Sequence, residues 1–476
     1  MSEPGFTISV SQNKFLAPDR HEMHAALTVT GAGLGRKPGP DTAGPQAAEV
    51  ILVDCSGSMD YPPSKISAAR RATRAAIDAL RDGVLFGVVA GTSLAQLAYP
   101  NKPHLVPASK ATRADAKIVV DRLRANGGTA MGTWLTMADA LLGQYPTAIR
   151  HALLFTDGQN RERPGELSRV LDDVRGRFVC DVRGIGDDWE PAELLRIAAT
   201  LNGQAIGVAR LADMAADFEA LMLDVMRKVV PDVDLRLRLI NRARLTYFKQ
   251  LFPTDVDLTD QLSYSGELDI RLATGSWADE TREYQIGIDV APTGTDDDMT
   301  KDVRIARVDL AIRRGDTISD EKIRPGQVFV RWTDDATLIT RIPEAIATYD
   351  EQRQIADAIR DGCEAYNAGK WEIARAQFTI AHELATRSRN DEMLKLLDTL
   401  VTSVAGEVKL REEIQLSNII SAILNSHQSQ FSGRRQQVAN PVPAGPPKKC
   451  DVCERQNRGD AIYCERCSTP FPGQRS

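Results

Sequence analysis

Between residues 48 and 228 short apolar runs alternate with longer amphipathic stretches, and this alternation restricts what the chain can fold into. The runs Glu49 to Val53, Val84 to Ala90, Ala152 to Phe155, Val179 to Ile185 and Ala205 to Val208 are too short for helices. They are rich in aliphatic and β-branched residues, so each is expected to be a strand. Between the first two, Ser64 to Leu80 places Ile66, Ala69, Ala72, Thr73, Ala76, Ile77 and Leu80 along one helical face, with arginines elsewhere. Strands and helices in this order predict an α/β, doubly wound, mostly parallel sheet of Rossmann-like type.

After Pro231 the apolar period falls to two. Val233, Leu235, Leu237 and Leu239 alternate with charged residues, and similar alternation marks Leu268 to Leu272, Tyr284 to Val290, Val303 to Ile312 and Val328 to Trp332. A β-sandwich is expected over residues 229–342. Phe6 to Val10 and Ala25 to Val29 alternate likewise, so residues 1–46 are expected to add strands to it, with the α/β domain of residues 47–228 inserted between. From 343 to 430 the composition is helical, and Tyr366 to Ala374, with Gly369 at a turn, suits either a plain helical hairpin or one tetratricopeptide-like helix pair. Residues 431–447 form a proline-rich linker, and 448–473 hold a cluster of cysteines.

Composition sets limits on function. A formal net charge of −6 gives no global reason to expect a nucleic acid or an anionic membrane as partner. No stretch approaches the ~20 apolar residues of a membrane span, and the first residues carry an early acid and no cationic segment before an apolar run. A cytoplasmic location is expected. Cys55, Cys180 and Cys363 are read as free thiols, while Cys450, Cys453, Cys464 and Cys467 form two Cys-x2-Cys pairs separated by ten residues. That spacing predicts a closed, structural zinc ribbon whose folding depends on the metal.

The first strand ends in Asp54-Cys-Ser56-Gly-Ser58, a second loop reads Gly127-Gly128-Thr129, and a third apolar strand ends in Thr156-Asp157-Gly158. All three would meet beyond the carboxyl ends of the strands, where open α/β sheets bind ligands. Asp54, Ser56, Ser58, Thr129 and Asp157 together offer three hydroxyls and two carboxylates, an all-oxygen set that suits Mg2+ or Mn2+ and disfavours zinc or copper. Residues 47 to 228 thereby resemble the von Willebrand factor A family, with the metal-ion-dependent adhesion motif falling on these five positions. The resemblance implies an adaptor or scaffold that captures the Asp or Glu of a partner protein. It also makes a partnership with an AAA+ ATPase, or with a kinase or phosphatase stress-response system, an expectation for the pathway.

No constellation for catalysis stands out. His382-Glu383 lacks the second histidine of a zinc protease, and Gly31-Ala-Gly33-Leu-Gly35 lacks the context of a phosphate loop. The chain is therefore expected not to be an enzyme. The alternative from another class is a nucleic-acid-associated regulator acting through the zinc ribbon and Lys448 and Lys449, and a metal-assisted phosphatase is a third.

Overall fold

Strands Ala47–Asp54, Ile149–Thr156, Val179–Ile185 and Ala205–Val208 run parallel with Leu85–Gly91, and Ala95–Tyr99 closes one edge antiparallel. In this computed structural model the described residues are 5–35, 46–186, 189–208, 210–294, 296–315, 317–340, 343–404 and 407–429, together with 448–449 and 456–457. Cys450, Cys453, Cys464 and Cys467, and the linker 431–447, lie outside them.

Alternate residues of the central strand feed two different cores. Ile51 and Val53 face the side covered by helices Ser64–Ala79 and Met214–Val225. Val50 and Leu52 face Trp134, Leu135 and Ile197 of helices Met131–Leu142 and Pro191–Thr200. A strand buried on both faces reads as a continuous apolar run, which is how the five strands first stood out. Each fully buried aliphatic side chain contributes about 1.5–3 kcal/mol, so the two layers fix the sheet and with it the positions of its strand-end loops.

Two largely antiparallel sheets follow, built from strands on both sides of the α/β segment in sequence. Gly5–Gln12 pairs with Glu22–Ala32, which pairs with Glu280–Val290 and, beyond it, Ala243–Phe252. The second sheet centres on Asp232–Leu239 between Asp269–Ala273 and Val303–Arg314. Their inward residues, among them Leu27, Ile286, Leu235 and Leu310, belong to one apolar cluster. Strand Ala243–Phe252 escaped the sequence reading because register shifts at Leu245/Tyr247 and Gln250/Phe252 break its period of two.

Helices Glu344–Asn367 and Trp371–Ser388 form a hairpin turned at Gly369, which sits at φ +70°. The expectation of an all-helical region up to residue 430 needs correction. Val401–Val404 and Glu407–Leu410 form a β-hairpin there, with Val401 and Val408 turned into the helical core. The last helix, Leu416–Asn425, covers the outer parallel strand. Asn425 accepts from the Gly207 amide at 2.9 Å and donates to its carbonyl at 3.1 Å, so both backbone groups of Gly207 on this edge are paired. Gly207 permits this approach, since a Cβ there would lie 2.7 Å from the Ser421 Cα.

Residues 431–476 form a second unit. Its described residues are two short antiparallel strands, Lys448–Lys449 and Gln456–Asn457. Among the described residues no helix is long and apolar enough to cross a membrane.

Candidate metal centre

The carboxyl end of strand Ala47–Asp54 turns sharply because the Ser56 amide donates to Asp54 Oδ1 at 2.7 Å. The other oxygen, Oδ2, accepts from the Thr156 hydroxyl of the neighbouring strand. Asp54 is thus held by backbone on one side and by a side chain on the other, with no exposed surface. Backbone bonds then tie the second loop to the first: Gly57 donates to the Gly127 carbonyl at 2.9 Å, and Asn126 donates to Cys55 at 2.7 Å. The loop Thr92-Ser93 braces it from behind, with Ser93 Oγ accepting from Gly128 at 2.9 Å.

Three loops therefore converge, as the sequence suggested, two of them at strand ends and one between helices Lys110–Val120 and Met131–Leu142. Ser56 Oγ lies 3.0 Å from Ser58 Oγ, and Ser58 Oγ donates to Asp157 Oδ1 at 2.7 Å. Thr129 is brought to the same point, because the space above Gly158 is bounded by both Ser58 Oγ and Thr129 Oγ1, 3.3 and 3.5 Å from where a Cβ would stand. A side chain at 158 would crowd the two hydroxyls, and glycine leaves that space open. The helix that follows Thr129 is anchored by the third loop, with Met131 and Gly132 amides donating to Asn160 Oδ1 at 3.0 Å and Glu162 Oε2 at 2.9 Å.

The residues fit a small divalent cation. Adjacent ligands of an octahedral Mg2+ with bonds of 2.0–2.1 Å stand about 2.9 Å apart, and the hydrogen-bonded oxygen pairs Ser58–Asp157 and Ser56–Ser58, at 2.7 and 3.0 Å, lie close to that edge. Among the described residues no group of three or more histidine, cysteine and carboxylate side chains is arranged to hold a metal.

The sequence from 48 to 206 matches the model of the von Willebrand factor type A domain. Over nearly its full length the chain is similar to a solved structure, von Willebrand factor type A from Catenulispora acidiphila, with 36% identity, 90% of this chain and 97% of that chain covered, and a TM-score of 0.80. The chain belongs to the von Willebrand factor type A family. The ArnB paralog VWA2 from Sulfolobus acidocaldarius shares the fold at 13% identity, covering 90% of this chain and 98% of that one with a TM-score of 0.54. No curated protein matches the sequence.

Within this A domain one residue that pattern reading passed over sits at the centre. Lys65, in the first turn of helix Ser64–Ala79, reaches back so that its ammonium lies 2.7 Å from Asp157 Oδ2. Both side chains are buried, with 6% and 0% of their surface exposed. A cation in a first helical turn opposes the helix dipole, and that opposition was the cue available in the sequence. Burial pushes the Asp54 carboxyl up to about 6, against the hydrogen bonds from Ser56 and Thr156 that favour its charged form. Cys55, between the motif residues, is buried and its thiol is pushed up to about 12, first by desolvation and then by Asp54. Cys180 and Cys363 are also free and buried.

Proposed function

We propose that this chain is a divalent-cation-dependent protein-binding scaffold, with Asp54, Ser56, Ser58, Thr129 and Asp157 holding Mg2+ or Mn2+. The observation that carries the reading is the convergence of three loops, with the oxygens of Ser56, Ser58 and Asp157 spaced 3.0 and 2.7 Å apart in turn and Thr129 bordering the same space. A bound cation would supply an electrophilic position for a carboxylate oxygen from another molecule. The chain's own residues do the rest: Asp54 is fixed by Ser56 and Thr156, Ser58 is oriented by Asp157, and Gly158 keeps the approach open.

The partner would present an exposed Asp or Glu. Because Asp54 and Ser58 are oriented by backbone or by neighbouring side chains, the arrangement favours holding a ligand over shuttling protons, and we place the protein among binders and not enzymes. We further read the two antiparallel sheets as a β-sandwich that supports the A domain. Cys450, Cys453, Cys464 and Cys467 are proposed to take zinc, since the strands Lys448–Lys449 and Gln456–Asn457 bracket the first cysteine pair in sequence.

The test is capture of partners from cell extract with the full chain and its Asp54→Asn variant, in Mg2+ and in EDTA. Partner recovery should fall at least tenfold for the variant and for wild type in EDTA, while the thermal midpoint stays within a few degrees. Equal recovery in all arms would remove the metal from the function.

A further inference from the structure

Strand Ile149–Thr156 reaches the metal centre at Thr156, and near its other end Arg150 borders a separate cavity of about 410 Å3. Four more arginines line it. Arg175 and Arg177 come from the turn before strand Val179–Ile185, and Arg271 and Arg313 come from two strands of the adjoining antiparallel sheet. No carboxylate is among the lining residues.

Like charges repel across such a wall unless something offsets them, so the pairing of each guanidinium matters. Arg175 bonds Asp172 and Arg177 bonds Asp139, both at 2.8 Å, on the outer side of the domain. Arg271 and Arg313 share the fully buried Asp234, at 2.7 and 3.1 Å, and Asp232 stands 3.7 Å from Arg313. The buried Nε of Arg313 has no hydrogen-bond partner. Arg150 has neither an ion pair nor a side-chain hydrogen bond among the described residues, although Asp232 and Asp139 lie near enough to favour its charge. Burial, the largest influence on it, holds its guanidinium below the usual arginine range. Desolvating a cation with no directly bonded partner is costly, and an anion in the cavity would relieve that cost.

We propose that this cavity is a binding site for a small phosphate-bearing anion, with diphosphate as its simplest member. Its size falls within the ~300–1,000 Å3 of small-molecule sites. Guanidinium forks match phosphate oxygens two at a time. Arginines converge from two sides, three on the α/β domain and two on the sheet, so two linked phosphoryl groups meet both sets. The site lies at the amino ends of the parallel strands and is separate from the cation centre at their carboxyl ends.

Isothermal titration of the full chain with inorganic pyrophosphate tests this, in buffer with EDTA so that no divalent ion can carry the ligand. One saturable site per chain is expected, weakening as salt is raised. Arg150→Gln and Arg177→Gln should each bind at least tenfold more weakly. Arg150 makes no direct ion pair, and Arg177 is 55% exposed beside an Asp139 that is 20% exposed, so both variants should unfold close to the wild-type temperature. Absence of saturable binding, or wild-type affinity in both variants, would overturn the proposal.

Discussion

Replacing Lys65 with methionine is expected to lower the stability of the cation-free protein by about 3–5 kcal/mol, because it strands a buried carboxylate, while raising affinity for Mn2+ at least tenfold. The ammonium is 2.7 Å from Asp157 Oδ2, and both side chains are almost wholly out of water. In the cation-free protein Lys65 is the charge that makes a buried Asp157 tolerable. When a divalent ion arrives the same ammonium becomes a second cation competing for one carboxylate. Removing it therefore raises the free energy of the empty state and lowers that of the filled one. A tenfold gain corresponds to about 1.4 kcal/mol, less than the expected loss in the empty state. Urea unfolding with and without Mn2+, beside a direct Mn2+ titration, separates the two effects. Unchanged affinity in the variant would mean that Lys65 is a structural ion pair with no influence on the cation.

A comparable loss is expected at the opposite end of the sheet. Glu49, His151 and Asp181 lie on three adjacent parallel strands, 1%, 3% and 8% exposed. His151 Nδ1 contacts the two Glu49 oxygens at 2.9 and 2.7 Å, and its Nε2 is 3.0 Å from Asp181 Oδ2. Both ring nitrogens face carboxylates, so the ring is an imidazolium donating on both sides. Burial works against that charge, but Glu49 and the hydrogen bonds to both acids outweigh it and push His151 up to about 10. Asp181 is lowered for the same reason: burial would raise it, and the His151 bond overcomes burial.

His151→Gln should destabilise by about 3–5 kcal/mol at pH 7, since it leaves two buried carboxylates without their shared cation. The pH dependence has a definite sign. His151 is raised in the folded state, so its contribution is full below the unfolded value near 6.5 and is lost as pH climbs toward 10. Asp181 is lowered, so its share is present above its unfolded value and lost in acid. Glu49 is raised by burial and offsets part of the gain at neutral pH. Wild-type unfolding free energy should fall between pH 7 and 10, and the variant should lack that component. Parallel pH profiles for the two proteins would count against the charged triad.

The oxygen donors were legible because each stands in a short contiguous motif: those of Asp54, Ser56, Ser58 and Asp157 lie at the end of an apolar strand, and Thr129 follows two glycines just before a helix. Lys65 was not, because its role depends on a helix start folding back over a strand that begins far along the chain. The triad was hidden for a related reason. Glu49, His151 and Asp181 each look like a stray polar residue in an apolar run, and only the register of three strands joins them. A lone ionisable group near the start of successive buried strands is the pattern that would have revealed it. The β-hairpin at 401–410 and the bulged strand Ala243–Phe252 were lost to broken periodicity, whereas the five parallel strands kept theirs.

The central claim rests on a cation held by five oxygen-bearing side chains, and anomalous diffraction from crystals of the full chain soaked in Mn2+ tests it most directly. The account predicts a single strong manganese peak among Asp54, Ser56, Ser58, Thr129 and Asp157. Difference maps without any peak there, with Lys65 still bonded to Asp157, would contradict it.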